Sequence, residues 1–505
     1  MSTLETTPFV DRPPIGEVPH GGPSETDPWR VSAIAGDILT LGTGTAFTAA
    51  FNTLLVFLIP RLVTVEQFGY WRLFLLYAGY VGFLHFGLPD GALLRWAGRP
   101  LNQFHHELSY SVRYLLWQHA ILLLPACVVI WFVLPEQLRI VGVAVAIYAP
   151  IYNVTATLQF ALQSARTFRP VAISILIPPA ILLISVLAWE AKWQTSFLEI
   201  TTFYLASWFL ALGFLLAYTK PWRNKRRKPL KNLARQCISS GWPIVMANTG
   251  AMLIATSDRL ALSWAGTIQN FAQYSLAASA MTVPITGIQA CSKVCFSHLA
   301  AATSDARKSV YGHSSRLLLI AWTIALPYYF ALDMFVRHFL PKYGPSLRYA
   351  RILLLGIPFL AAILILQMSY AYLNGGQKLF LARTVAVLGA ALGLSALVAF
   401  WLGSLTALAE MQVVIVGCWW FFNEWTLREF TGQSVRDWIK FSSVFVLVGL
   451  AYWLATDRLV EISTSLLIYY LIVGMILVSV CRADIRLALT RIRAAGLWRF
   501  GAIER

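Results

Sequence analysis

The chain has 505 residues, 58% of them apolar and only 12% charged, where soluble domains carry about 25% charged residues. That composition excludes most soluble enzymes and binding modules. A net charge of +17 would point to nucleic acid in a soluble protein, but here most of the 40 lysines and arginines gather in short loops between apolar runs, which is how membrane proteins set their orientation.

Residues 1–32 hold Pro13, Pro14, Pro19, Gly21, Gly22 and Pro23 and few large apolar residues, so they are expected to form a disordered cytoplasmic tail. They lack the basic start and adjoining apolar run of a cleavable signal peptide. Fourteen stretches long enough to cross a bilayer follow: 33–60, 69–95, 114–134, 140–163, 171–189, 198–219, 241–265, 271–298, 315–337, 350–374, 379–402, 405–427, 438–456 and 463–481. A hydrocarbon core about 30 Å thick needs a helix of roughly 20 residues, and in lipid the backbone must satisfy its own hydrogen bonds. The expected fold is therefore all-α and polytopic, with about 14 transmembrane helices.

The longest interruption, 220–240, carries Lys220, Arg223, Lys225, Arg226, Arg227, Lys228, Lys231 and Arg235 with no acid up to that last arginine. It divides an N-lobe (33–219, helices 1–6) from a C-lobe (241–427, helices 7–12), with helices 13–14 at 428–481. Most basic residues then lie on the side of both termini, which places the termini in the cytoplasm. Val65 to Leu73, entering helix 2, is echoed by Ile268 to Leu276, entering helix 8: an apolar residue, a polar pair, Phe, a small residue, then an aromatic and Leu. Six helices per unit is an even number, so such a duplication gives two parallel pseudo-repeats about an axis along the membrane normal. In the C-terminal tail, 482–505, Ile485, Leu489 and Ile492 share a helical face while Arg482, Arg486 and Arg493 lie elsewhere, the pattern of an amphipathic helix on anionic lipids.

Three segments, in order and on the expected helices, carry a family resemblance. Pro60-Arg61-Leu62-Val63-Thr64-Val65-Glu66-Gln67-Phe68-Gly69-Tyr70-Trp71 begins helix 2, Ser257-Asp258-Arg259-Leu260 with Phe271-Ala272-Gln273-Tyr274-Ser275 spans helices 7 and 8, and Arg351-Ile352-Leu353 leads to Tyr372-Leu373-Asn374-Gly375-Gly376-Gln377-Lys378 after helix 10. Together they resemble the polysaccharide transporter family, the O-antigen flippase group of the multidrug/oligosaccharidyl-lipid/polysaccharide exporter superfamily. The chain departs from that pattern at Phe271 and Asp90. The resemblance implies a non-enzymatic, two-lobed flippase for undecaprenyl-pyrophosphate-linked oligosaccharide repeat units. It also implies alternating access, a cavity lined by helices 1, 2, 7 and 8, a lipid tail accommodated by helices 13 and 14, and a polysaccharide polymerase as a partner.

Ionisable residues inside spans are costly and face polar interiors by default. Here they are Asp37, Asp90, Asp258, Arg259, Lys293, Asp333 and Glu410. A pyrophosphate suits a wet cationic chamber, so Arg259, whose planar fork matches phosphate oxygens, is the leading candidate, with Lys293 adding a point charge. Adjacent helical residues point about 100° apart, so of Asp258 and Arg259 one should line the chamber and the other brace a neighbour. Asn52, Asn153, Asn248 and Gln289 are candidates for sugar hydroxyls or for interhelical ties. Arg61 and Arg72, nearer the outer border, read as anchors. Gly87-Leu88-Pro89-Asp90-Gly91 should kink helix 2, making Asp90 a candidate for coupling to protons or sodium. The six cysteines lack metal or disulfide spacing, no phosphate-cradling loop is present, and neither cofactor nor nucleic acid is expected. The competing functions are a multidrug-extrusion-type cation antiporter and, with only short outer loops such as Arg337 to Ser346 to build on, a membrane-embedded glycosyltransferase or polysaccharide ligase.

Overall fold

The computed structural model describes residues 28–189, 196–222, 232–281, 311–312, 314–315, 318–320, 322–323, 325–373, 377–431, 435–456 and 464–475. They are helical nearly throughout. In chain order the helices are α1 (Pro28–Leu62), α2 (Val65–Tyr80), α3 (Leu88–Trp96), α4 (Leu101–Val128), α5 (Glu136–Ser164), α6 (Phe168–Trp189) and α7 (Phe197–Thr219). After the basic linker come α8 (Leu233–Ala265), α9 (Ile268–Ala280), α10 (Tyr328–Phe339), α11 (Ser346–Leu353), α12 (Ile357–Ala362), α13 (Met368–Leu373), α14 (Gln377–Leu397), α15 (Leu405–Thr431) and α16 (Val435–Thr456). A last helix, α17 (Thr464–Met475), is short and apolar.

Among the described residues nine helices are long and apolar enough to cross a membrane, and they coincide with nine of the fourteen expected spans. The chain is a multi-pass membrane protein. The spans at 271–298, 315–337 and 463–481 fall partly outside the described residues, and residues 1–27 and the C-terminal tail fall wholly outside them. Two expected boundaries move. Helix α1 already begins at Pro28, inside the stretch expected to be disordered, because Pro tolerates the first helical turn. Helix α8 begins at Leu233, inside the expected linker, since Leu233, Ala234 and Cys237 bury an apolar stripe against the preceding helices.

Local signals start the helices. Thr64 and Thr267 each place a side-chain oxygen on the backbone N–H three residues on, that of Gln67 and of Asn270, and Ser196 with Glu199 forms a reciprocal cap at the start of α7. The two segments that echo each other in sequence, at 65–73 and 268–276, thus begin with the same cap, and α2 and α9 pack together.

Sidedness follows from contacts at the helix ends. His105 Nε2 lies 3.1 Å from the carbonyl oxygen of Thr219 and Arg95 Nη1 donates to Gln236 Oε1 at 3.3 Å, so the ends of α3 and α7 and the starts of α4 and α8 share the linker side. On the far side Phe197 N–H donates to Gln67 Oε1 at 2.7 Å and Lys342 Nζ to the carbonyl of Val63. Lys342 lies beyond the spans, and partial burial lowers its pKa. Packing divides each span into an apolar face turned out and another turned in. On α4, Trp117, Ile121, Leu124 and Val128 are exposed, while Phe104, Leu108, Val112 and Leu115 are buried, as expected where lipid replaces water as solvent.

Candidate functional site

The break in helix 2 organises the site. After Tyr80 the chain tightens into a 3-10 turn, Val81–His85, then Phe86 and Gly87 adopt positive φ of 50° and 84° before α3 starts at Leu88. The break falls two residues ahead of Pro89, which sits in the first turn of the new helix where its missing N–H costs nothing. Glycine there serves a second purpose. A Cβ on Gly91 would lie 1.9 Å from the carbonyl oxygen of Cys237, and one on Gly241 would lie 1.9 Å from that of Gly87. The segments before and after the linker therefore meet backbone to backbone on the linker side. Arg95 extends this contact by bonding both Glu107 on α4, at 2.9 Å, and Gln236 on α8.

Antiparallel α2 and α8 continue the seam. Tyr80 OH lies 2.5 Å from Thr256 Oγ1, and Tyr77 OH lies 3.0 Å from Ser263 Oγ and accepts a bond from Trp264 Nε1 at 3.0 Å. At the far end Gly69 lies under Ile268, and Phe68 meets the ring of Tyr343 edge-on at 5.4 Å. The seam is thus closed at both ends.

Between those ends lies a cavity of about 750 Å³ whose walls come from α2, α4 with its π-helical extension, α5 and α8. Its lining includes Leu73, Val81, Ile130, Leu138, Val145 and Leu253, and no charged residue. This wide cavity is apolar, and its walls are not those expected for the cationic chamber, whose eighth helix falls partly outside the described residues. The physical reason for the apolarity is the wall formed by Tyr77 and Tyr80, whose hydroxyls are spent on α8 and whose rings face the void.

The cations lie beyond that wall. Arg259, on α8, lines a second space of about 80 Å³ with Asp258, Gln412, Met281 and Leu360. Its neighbour Asp258 is buried and turned to α9: Tyr274 OH donates to Oδ2 at 2.7 Å and the Arg259 backbone N–H to Oδ1 at 2.7 Å. Arg259 Nε stands 3.9 Å from Asp258 Oδ1, an ion pair too long for a hydrogen bond. Arg72 lies on α2, the helix that pairs with α8 along the seam. The Nε atoms of both arginines are buried without a hydrogen-bond partner among the described residues. An unmade buried hydrogen bond costs about 1–3 kcal/mol, so each of these Nε groups is left at a cost to the fold.

One turn away, Ser257 donates to Gln412 Oε1 at 3.0 Å, and Gln412 Nε2 donates to the carbonyl of Ile254 at 2.9 Å, tying α8 to α15. A separate polar cluster surrounds the helix 2 break. The backbone N–H of Gly87 donates to His85 Nδ1 at 3.0 Å, so in the neutral ring the proton sits on Nε2, which faces Asp90 Oδ2 at 3.8 Å. That Asp90 oxygen is buried and has no hydrogen-bond partner among the described residues. His119 and Asn153 complete the group, with Asn153 Nδ2 2.8 Å from His119 Nε2 and 2.9 Å from the carbonyl of Val81.

The other expected site residues lie apart. Asn52 and Asn248 are exposed and belong to the lining of neither cavity, and Lys293 and Gln289 are outside the described residues. Sequence reasoning set Arg72 aside as an anchor, because depth along a helix does not say which way a side chain turns. It also passed over Glu424, buried in α15, whose Oε2 accepts bonds from Tyr311 OH at 2.6 Å and Gln367 Nε2 at 2.8 Å. A glutamate near the end of a span looks like a border residue until its neighbours are known.

No family model and no curated relative matches the sequence. Among solved structures the chain is similar to the lipid II flippase MurJ in an inward closed conformation, with a TM-score of 0.66 at 13% identity over 88% of this chain and 100% of that one. It is also similar to the inward-facing conformation of a multidrug resistance MATE family transporter of the MOP superfamily, with a TM-score of 0.47 at 14% identity over 78% of this chain and 96% of that one. The first likeness, spanning the whole of the solved chain, shows that these helices adopt the all-α fold seen in that flippase.

Proposed function

We propose that this chain is a flippase that moves undecaprenyl-pyrophosphate-linked oligosaccharide repeat units across the bacterial cytoplasmic membrane for surface polysaccharide assembly. The helices before and after the basic linker act as two lobes that rock in alternating access, with both termini cytoplasmic, and a polysaccharide polymerase consumes the product outside. The observation that carries the reading is the pair Arg72 and Arg259, one from each lobe, each with a buried Nε lacking a partner among the described residues. A pyrophosphate between them would bridge the lobes, which couples binding to closure. Gln289 and Lys293 are the candidates for the rest of the head-group site, with Asp258 bracing α9, and anionic lipids are the candidates for the basic tail. Asp90, with His85 beside it, is the proposed coupling site, since a carboxylate at a broken helix can gain or lose a proton or cation as the seam moves.

The runner-up is a multidrug-extrusion-type antiporter, favoured by the size and apolarity of the wide cavity. Deletion of the gene with leaflet-resolved analysis of polyprenyl-linked sugars separates the two. Accumulation in the inner leaflet supports the flippase. Unchanged lipids with altered drug resistance would support the antiporter.

A further inference from the structure

We propose that the apolar cavity between α2, α4, α5 and α8 holds the polyprenyl chain of the translocating lipid, and that Tyr77 and Tyr80 are the latch between this chain site and the arginine pair. This inference rests on the flippase reading and departs from the expectation that the last two helices hold the tail.

Three observations carry it. The first is chemistry: the lining is aliphatic and aromatic, its few polar groups are hydroxyls and one indole, and no charge faces it. An aliphatic chain buries there with no polar group to desolvate. The second is shape. The lining follows α8 from Thr249 to Trp264, a rise of roughly 22 Å at 1.5 Å per residue, so the void accepts a chain laid along the helices. Trp264 at one end is largely exposed, as are Trp131 and Phe132 beside the α4 wall, so the void borders the lipid-facing surface.

The third observation is position. Tyr80, which lines the void, bonds Thr256 one turn before Arg259 on α8, and Tyr77 bonds Ser263 one turn after it. Arg259 therefore lies along α8 between the two ends of the void, with the tyrosine bonds to α8 on either side of it. A leaflet phospholipid keeps its head at the membrane border, whereas a lipid in transit carries its head through the span. Head at the arginines and chain in the void describes the latter. Breaking three hydrogen bonds to α8 would let a chain pass while its pyrophosphate stays between the arginines.

The test uses the full-length protein in nanodiscs of phosphatidylethanolamine and phosphatidylglycerol. One set contains an undecaprenyl pyrophosphate with a photoactivatable diazirine on its terminal isoprenes, and the other a phosphatidylglycerol with a diazirine in one acyl chain. The polyprenyl probe should label peptides 125–149 and 249–264. Ala146→Trp and Leu253→Trp, two independent ways of filling the void, should each lower that labelling about tenfold, as expected from excluding a buried chain, and reduce export in cells. Retained thermal unfolding identifies the variants that fold, and Tyr77→Phe, which keeps the ring, should raise labelling by removing the latch. Labelling confined to peptides beyond residue 435, or equal labelling by both probes, would overturn the proposal. The flippase reading fails separately: it falls if Arg72→Ala and Arg259→Ala leave inner-leaflet lipid levels unchanged.

Discussion

Gly241 and Gly87 approach so closely that a single added methyl on the former would penetrate the carbonyl of the latter. Backbone is not a flexible neighbour, so the clash cannot be relieved by a rotamer change, and overpacking of this kind costs about 1–3 kcal/mol. The cost falls only on states in which the linker-side seam is closed. Gly241→Ala should therefore open that side without unfolding either half. Cys237, buried in the same contact, reports on it: with Cys237 as the sole cysteine, a membrane-impermeant maleimide applied from the linker side should label Gly241→Ala several-fold faster than the parent. Equal rates would mean that the contact is not a gate.

The two arginines predict a trade of stability against function. Arg72 and Arg259 each hold a buried Nε without a hydrogen-bond partner among the described residues, so Arg72→Met should raise the melting temperature of the purified protein while abolishing export. Arg259→Lys keeps the charge but loses the planar fork, and a lost charge-assisted bond of about 1.5–3 kcal/mol corresponds to a drop of roughly 10- to 100-fold in pyrophosphate-lipid affinity. Export assays beside thermal unfolding check both. A variant that lost stability together with export would instead make Arg72 a structural residue.

How much of this was legible in the sequence depends on what kind of signal each feature leaves. Spans are written in length and hydropathy, and nine recur as long helices. The break in helix 2 was announced by Gly87, Pro89 and Gly91. Which face of a helix turns inward was not legible: in a membrane both faces are apolar, so α2 gives no amphipathic stripe to show that Arg72 looks across the seam and Leu73 into the void. The apolar cavity beside the cations was not legible for the same reason. Counting charges per span located the cations, but the tyrosines that separate them from the wide cavity act through partners 176 and 186 residues away, and no local pattern encodes such pairings.

At the helix 2 break, Asp90→Asn keeps shape and hydrogen-bonding capacity but cannot take up or release a proton at neutral pH. If Asp90 couples transport to an ion, this variant should still exchange substrate between leaflets in proteoliposomes, yet no longer respond to an imposed pH or sodium gradient. His85→Ala, which removes the group facing Asp90 at 3.8 Å, should blunt the same response without eliminating it. Gradient-driven accumulation equal to that of the parent in Asp90→Asn would assign the carboxylate a purely structural place beside the seam.

Glu424 offers the sharpest contrast between two substitutions at one position. Its carboxylate is buried in α15 and receives two donors on a single oxygen, from Tyr311 and Gln367, while Gln367 Oε1 close by has no partner among the described residues. Glutamine at 424 can accept those bonds with its carbonyl and offer its amide to the idle Gln367 oxygen, while removing a buried charge. Glu424→Gln should thus match or exceed the parent in melting temperature. Alanine leaves Tyr311 OH without this acceptor, leaves Gln367 Nε2 only its bond to the carbonyl of Trp420, and opens a void where the side chain was, at about 1–3 kcal/mol for an orphaned group, so Glu424→Ala should unfold at a clearly lower temperature. Export decides what the charge is for: parental export in Glu424→Gln makes the glutamate an interhelical tie, whereas a stable but inactive Glu424→Gln would show that transport requires the negative charge itself.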